Sequence, residues 1–354
     1  MNIYVNARFL EQRITGVQRY AIEISRQLKM LSPDIKFVAP GNIVPDGLAD
    51  ELNIVAHGKM SGHLWEQLEL PRFLKKRGNP LLINLGNTSP LHYKNKLVVI
   101  HDVAFMRNGQ WFSKKFYFYY RFIVARAARE ALKIITVSEF SKREICELLN
   151  IPADKIEIVY GAAPNESRDG DGKAICESGR YILAVSSLDP RKNFGNLIEA
   201  FVTSGMRDVR LIIVGSQSSI FRNKKLKEAI GANPDIIFTG YVSDRELTDL
   251  YRNAELFIYP SLYEGFGIPP LEAMACGCPV IVSRASSLPE ICGDAALYVN
   301  PHDIDDIKRA MSEILSSAEL RKELILKGRE RVKLFSWRDS AIRLAKIIEG
   351  VVTN

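Results

Sequence analysis

Two carboxylates and two cations stand where short apolar runs end, and they are the residues of this sequence best placed to do chemistry. Glu264 and Glu272 bracket a loop, Glu264-Gly-Phe-Gly-Ile-Pro-Pro-Leu-Glu272, with seven residues between them. The loop follows Leu256-Phe-Ile-Tyr259, which reads as a buried strand. It opens a helix whose first turn begins at Pro269 or Pro270, where a missing amide donor costs nothing. Gly265 and Gly267 let the backbone turn tightly and come close to a ligand. Amides around Phe266 and the positive end of the following helix face the same space, which is how chains hold phosphate. A nucleotide could be gripped there at its phosphates by backbone and at its sugar hydroxyls by acids. The same residues also suit an ordinary strand-to-helix turn carrying surface glutamates.

A second cluster, Ser186-Ser-Leu-Asp-Pro-Arg-Lys-Asn193, follows the strand-like Tyr181-Ile-Leu-Ala-Val185 and precedes a helix. It brings Arg191 and Lys192 beside a helix N-terminus, where cations and amides converge on an anion. His101-Asp102 ends the run Leu97-Val-Val-Ile100, and Gly16 stands at the mouth of the first crossover, both at carboxyl ends of strands, where ligands gather in open parallel sheets. A structural histidine and a tight turn are the competing readings. In Trp111 to Arg129 the cations Lys114, Lys115, Arg121, Arg126 and Arg129 alternate with aromatics. That pattern fits a helix lying in a lipid interface and equally a crossover helix with an aromatic core face. Nucleic-acid binding by the same aromatics finds no supporting module elsewhere. Asp169-Gly-Asp171 has a spacing used for metal and nucleotide phosphates in some sugar-transferring enzymes, but it falls in a linker-like stretch. Cys276-Gly-Cys278 is too close and isolated for a zinc site.

The elements that must position these groups are legible as alternating apolar runs and amphipathic stretches, the mark of parallel strands joined by helices. One series runs through Ile3–Val5, 35–39, 81–83, 97–100, 134–137 and 156–159. After a Gly-, Pro- and Asp-rich stretch at 161–173, a second runs through 181–185, 210–214, 236–238, 256–259, 280–282 and 297–299. An amphipathic helix from about Trp337 closes the chain. The 354 residues suit two domains, expected at 1–165 and 166–336, with 337–354 as the closing helix. No window offers about 20 uninterrupted apolar residues and no leader precedes the first strand, so a cytoplasmic protein is expected. Five scattered cysteines make no disulfide framework. Residues 1–165 carry 23 Lys or Arg against 15 Asp or Glu and 166–354 carry 25 against 26, so the net +7 is the sum of +8 and −1. The basic first half points to an anionic partner.

Taken together, the motifs Thr15-Gly-Val-Gln-Arg-Tyr20, His101-Asp102, Asp189-Pro-Arg-Lys-Asn193 and Glu264 to Glu272 resemble the retaining glycosyltransferases of family four. The resemblance runs from the first strand to the last helix. It implies the GT-B fold: α/β, with two Rossmann-like domains whose parallel sheets face each other across a cleft. The first domain would bind the acceptor, the second a nucleotide-sugar, and the last helix would cross back to the first. It further implies that Glu264 contacts the transferred sugar and Glu272 the ribose. Lys192, helped by Arg191, neutralises the departing diphosphate, with amides near Gly265, Phe266 and Gly267 and with Ser187 adding donor contacts. Gly16 brings backbone close to the donor or acceptor, and His101 touches the sugar near its C6 side. Many relatives have an arginine six residues before the lysine, where this chain has Ser186, so more of the diphosphate clamp falls on Lys192 and Arg191.

Retention is expected without a metal or other cofactor. Ile14-Thr-Gly-Val-Gln-Arg-Tyr-Ala21 is similar to bacterial O-antigen mannosyltransferases, which implies mannose transfer from GDP-mannose to a polysaccharide or lipid-diphosphate-linked acceptor. Peripheral contact through Lys114, Lys115 and Arg121 with the inner membrane's cytoplasmic face goes with that reading. A nucleotide-sugar 2-epimerase and a silent donor-binding partner subunit are the alternatives. A nicotinamide dehydrogenase lacks its Gly-x-Gly-x-x-Gly motif.

Overall fold

The computed structural model describes residues 2–43, 47–163, 179–186, 189–215, 231 and 233–353. Ser187, Asp169-Gly-Asp171 and most of the linker-like stretch lie outside the described residues, so nothing is said of their structure. The chain divides into two compact units, one of Met1–Gly161 with Ser336–Asn354, the other of Ala162–Phe335.

The first unit is built on a seven-stranded sheet: β1 (Ile3–Asn6), β2 (Lys36–Pro40), β3 (Ile54–His57), β4 (Leu81–Asn84), β5 (Lys96–Val99), β6 (Lys133–Thr136) and β7 (Ile156–Ile158). Their order is β3-β2-β1-β4-β5-β6-β7, and every pairing is parallel. Central strands are covered on both faces and so are largely apolar, and β4 and β5 are buried at every position, their polar Asn84 and Lys96 standing at strand ends. β3 was not expected from the sequence. It is an edge strand whose middle residues Val55 and Ala56 are exposed, so it shows no continuous apolar signal.

Helix Gly16–Leu31 packs its Tyr20, Ile24 and Leu28 side onto this sheet's core. Trp337 of the closing helix, Trp337–Thr353, meets Tyr20 edge-on at 5.7 Å, and Ser340 Oγ donates to Tyr160 O at 2.8 Å. Helix Lys114–Glu130 divides its aromatics. Phe116 and Tyr120 stack at 3.9 Å and pack on the core with Ile123 and Val124, whereas Phe118 and Phe122 are exposed. The crossover-helix reading with an aromatic core face holds for Phe116 and Tyr120.

The second unit repeats the plan with β8 (Arg180–Val185), β9 (Val209–Val214), β10 (Ile236–Gly240), β11 (Leu256–Tyr259), β12 (Val280–Ser283) and β13 (Leu297–Val299), all parallel, in the order β10-β9-β8-β11-β12-β13. Its core joins Ile182, Leu211 and Ile258 of the sheet to Leu197 and Met311 of its helices. Both sheets reverse strand direction of travel once, between β1 and β4 in the first and between β8 and β11 in the second. Loops leaving the carboxyl ends of such a strand pair diverge to opposite faces and leave a crevice for ligands.

Candidate functional site

The expected cation and the first glutamate meet at the second sheet's crevice. The loop after β8 ends in a short turn, Pro190–Lys192, whose start is capped by Asp189 accepting from the Arg191 amide. The loop after β11 runs through Glu264. Leu262 N donates to Arg191 O at 2.7 Å, and Asn193 donates to Pro260 O at 3.2 Å, so the two loops are stitched to each other. Lys192 Nζ donates to Glu264 Oε1 at 2.7 Å and to Tyr259 Oη at 2.9 Å, with all three residues buried. Burial pushes the Lys192 ammonium down, but the Glu264 carboxylate more than offsets this and holds it above the usual lysine range. Tyr259 is pushed up to about 12, chiefly by burial. At neutral pH Lys192 is thus a cation and Tyr259 a neutral phenol, an arrangement ready for an anion that can take the place of the carboxylate.

Arg191 is committed differently. Its Nε and Nη2 grip the two oxygens of Asp189 at 3.1 Å each, and its charge bears on the neighbouring Lys192.

The glycine loop is held from behind. Ser286 Oγ accepts from the Glu264 amide at 2.9 Å, and Ser287 Oγ donates to Glu264 O and Phe266 O at 3.0 and 2.7 Å. In a trans peptide the N–H lies opposite the C=O, so with those carbonyls turned to Ser287 the amides of Gly265 and Gly267 point the other way. Gly267 is required: its φ is +112°, and a Cβ there would stand 2.8 Å from Leu288 Cδ2. It caps helix Ile268–Ala275, which begins one residue before the prolines. Glu272 is the fifth residue of that helix, one or two positions further in than a start at Pro269 or Pro270 gives. Its Oε2 accepts from Tyr251 Oη at 3.1 Å.

Gly16 begins its helix, is exposed, and a Cβ there would meet open space, so nothing in the described chain requires glycine at that position. His101 lies in the first unit and is nearly buried. Its Nε2 is 3.0 Å from Leu85 O, and its ring meets Tyr20 edge-on at 4.9 Å. Burial lowers its pKa, so the ring is neutral near pH 7, and the contact to a carbonyl calls for the Nε2–H tautomer. Lys114, Lys115 and Arg121 are exposed on helix Lys114–Glu130. Among the described residues no three His, Cys, Asp or Glu side chains converge as a metal site, and no helix is long and apolar enough to cross a membrane.

Sequence reasoning missed the supports: Tyr259, Tyr251, Ser286 and Ser287. Tyr259 ends an apolar strand, where a hydroxyl reads as core, and Tyr251 sits among charged residues of the helix Asp244–Asn253, where it reads as surface. The serines act from a loop some twenty residues downstream, where sequence gives no sign of contact.

Residues 14–164 match the family model described as Glycosyltransferase Family 4, and residues 168–331 match that of Glycosyl transferases group 1. The chain is 32% identical over 262 residues to O-antigen chain mannosyltransferase B of Escherichia coli, covering 71% of this chain and 69% of that protein. It is 31% identical over 223 residues to the serotype-specific mannosyltransferase WbdA of Escherichia coli, a match covering 59% of this chain and only 27% of that longer protein. Among solved structures, that of Anabaena HepE in complex with UDP and glucose superposes with a TM-score of 0.75 over 99% of both chains at 16% identity, a likeness of fold.

Proposed function

The chain belongs to glycosyltransferase family 4 and is a hexosyltransferase of surface-glycan synthesis, and from that premise we propose that it moves mannose from GDP-mannose to a growing glycan with retention of configuration. The observation that carries the chemistry is the buried contact of Lys192 Nζ with Glu264 Oε1 at the second sheet's crevice. Before donor binds, the two charges satisfy each other. A diphosphate entering the crevice takes over the Lys192 ammonium, and Glu264 is released to accept hydroxyls of the transferred sugar. Glu272, oriented by Tyr251, takes the ribose hydroxyls. The Gly265 and Gly267 amides, held by Ser287, add donors toward the phosphates, and Arg191 supports the same charge.

In the reaction an acceptor oxygen bonds to the anomeric carbon while the bond from that carbon to the diphosphate oxygen breaks on the same face. The acceptor's proton passes to the departing phosphate. Negative charge develops on that phosphate, and fixed cations and amides aimed at it stabilise the transition state by about 2 to 4 kcal/mol each, the role we assign to Lys192 in place of a metal ion. Mannose is favoured because both sequence relatives named above are mannosyltransferases. The surface-glycan acceptor and a lipid-diphosphate carrier go with the same reading. So does peripheral membrane contact through Lys114, Lys115 and the exposed Phe118 and Phe122.

Thermal shift across a panel of nucleotide-sugars tests the donor, with GDP-mannose expected to raise the midpoint most. A 2-epimer formed from donor alone, with no glycoside on any acceptor, would overturn the transfer reading.

A further inference from the structure

Strand β11 turns two aromatic side chains the same way. Phe257 and Tyr259 are two positions apart, so they leave the strand on one side, and their rings stack at 5.9 Å. Leu256 and Ile258 leave on the other side and join the apolar core. Tyr251, from the helix Asp244–Asn253, meets Phe257 edge-on at 5.4 Å. All three rings are almost wholly buried. The row Tyr251, Phe257, Tyr259 is therefore fixed by packing and carries a hydroxyl at each end. Tyr251 Oη donates to Glu272 Oε2 at 3.1 Å, and Tyr259 Oη accepts from Lys192 Nζ at 2.9 Å.

An ammonium has three N–H donors. Lys192 gives one to Glu264 and one to Tyr259, and the third has no partner among the described residues. The two acceptors differ in what the reaction asks of them. Glu264 leaves Lys192 for the hydroxyls of the transferred sugar. Tyr259 has no such second duty, and its ring is held against Phe257. Burial first, and then the charge of Glu264, push its phenol up to about 12, so it stays protonated and neutral near pH 7. A neutral phenol oxygen accepts one N–H and leaves the ammonium's charge in place, whereas a carboxylate cancels it. A phenylalanine would fill the same space, but the ammonium would then hold only to the carboxylate. Once the carboxylate moved to the sugar, no group that Lys192 now touches would set its direction.

We infer that Tyr259 is a positioning residue of the transfer, whose phenol oxygen keeps the Lys192 ammonium in place after Glu264 has released it, so that the other two N–H groups turn to the departing diphosphate. The assignment rests on the transfer reading, since it is the diphosphate that takes Glu264's place.

The test is a double-mutant cycle of Tyr259→Phe and Lys192→Met, read as affinity for GDP, UDP and ADP by titration calorimetry and as kcat for transfer, with urea midpoints alongside. Tyr259→Phe keeps the stacked ring and leaves Lys192 its carboxylate, so its urea midpoint is expected to stay close to that of wild type. Its affinity for the nucleotide that wild type binds best is expected to fall by about tenfold to a hundredfold, and kcat with it. On the Lys192→Met background the same change is expected to cost less than about twofold. Nucleotide affinity and kcat both near wild type in Tyr259→Phe overturn the assignment. Equal losses on both backgrounds overturn it too, and make Tyr259 part of the packing only. A ring-fluorinated tyrosine in place of Tyr259 keeps the hydroxyl and the fold, and its fluorine resonance is expected to move when the nucleotide is added. An unmoved resonance also overturns the assignment. Glycoside formed with no effect of Tyr259→Phe refutes the role of Tyr259 alone. A cycle that behaves as expected in a protein that never forms glycoside refutes the transfer reading and leaves Tyr259 as the anchor of Lys192. A wild-type protein that binds none of the three nucleotides refutes both.

Discussion

Replacing Lys192 by Met separates what the Lys192–Glu264 pair does for the fold from what it does for the reaction. Both side chains are about nine-tenths buried, at 10% and 11% exposure. Removing the cation leaves Glu264 an uncompensated buried charge, which costs about 3 to 5 kcal/mol. Glu264→Gln leaves the lysine stranded in the same way. The double variant Lys192→Met with Glu264→Gln removes both charges, so it is expected to recover most of the lost stability, read as a urea-midpoint shift of the second unit. Activity follows a different course. If Lys192 supplies about 2 to 4 kcal/mol at the departing diphosphate, its loss slows transfer by between about thirtyfold and a thousandfold, and neutralising Glu264 returns none of that. The assay pairs urea titration with mass-spectrometric initial rates on all four proteins. Recovery of activity in the double variant, or a Lys192→Met rate within a few-fold of wild type, refutes the reasoning.

Other outcomes follow from single positions. Gly267→Ala forces a Cβ into a left-handed backbone against Leu288, so it is expected to lower stability by about 1 to 3 kcal/mol in denaturant titration. The lowered pKa of buried His101 means the unfolded chain binds more protons below the ordinary histidine value of 6.5. Its contribution is therefore complete above about pH 6.5 and lost as pH falls further. His101→Gln is expected to flatten that acid-side fall in thermal midpoint, and an unchanged slope would count against it. Reversing the charge of Lys114 and Lys115, both exposed, should reduce partitioning onto vesicles of anionic lipid, measured by sedimentation.

The sheets were legible because central parallel strands carry short continuous apolar runs, such as Leu81–Ile83 or Val280–Val282, that stand out in that alternation. β3 escaped because half of it faces solvent. The order of strands was not legible, since parallel pairing leaves no mark in a strand's own composition, and with it the crevices stayed hidden. Lys192 and Glu264 were found by residue type at strand ends. That they touch over 72 positions of sequence follows only from β8 lying beside β11.

The central claim is a retaining transfer run by Lys192 and Glu264. Its most direct measurement is proton NMR of the product formed from GDP-mannose, whose mannose is α-linked, on a glycan acceptor, with the Lys192→Met protein as control. An α-mannoside made by the wild-type protein and nearly absent with the variant is the predicted result. A β-mannoside, or equal product from both proteins, would contradict it.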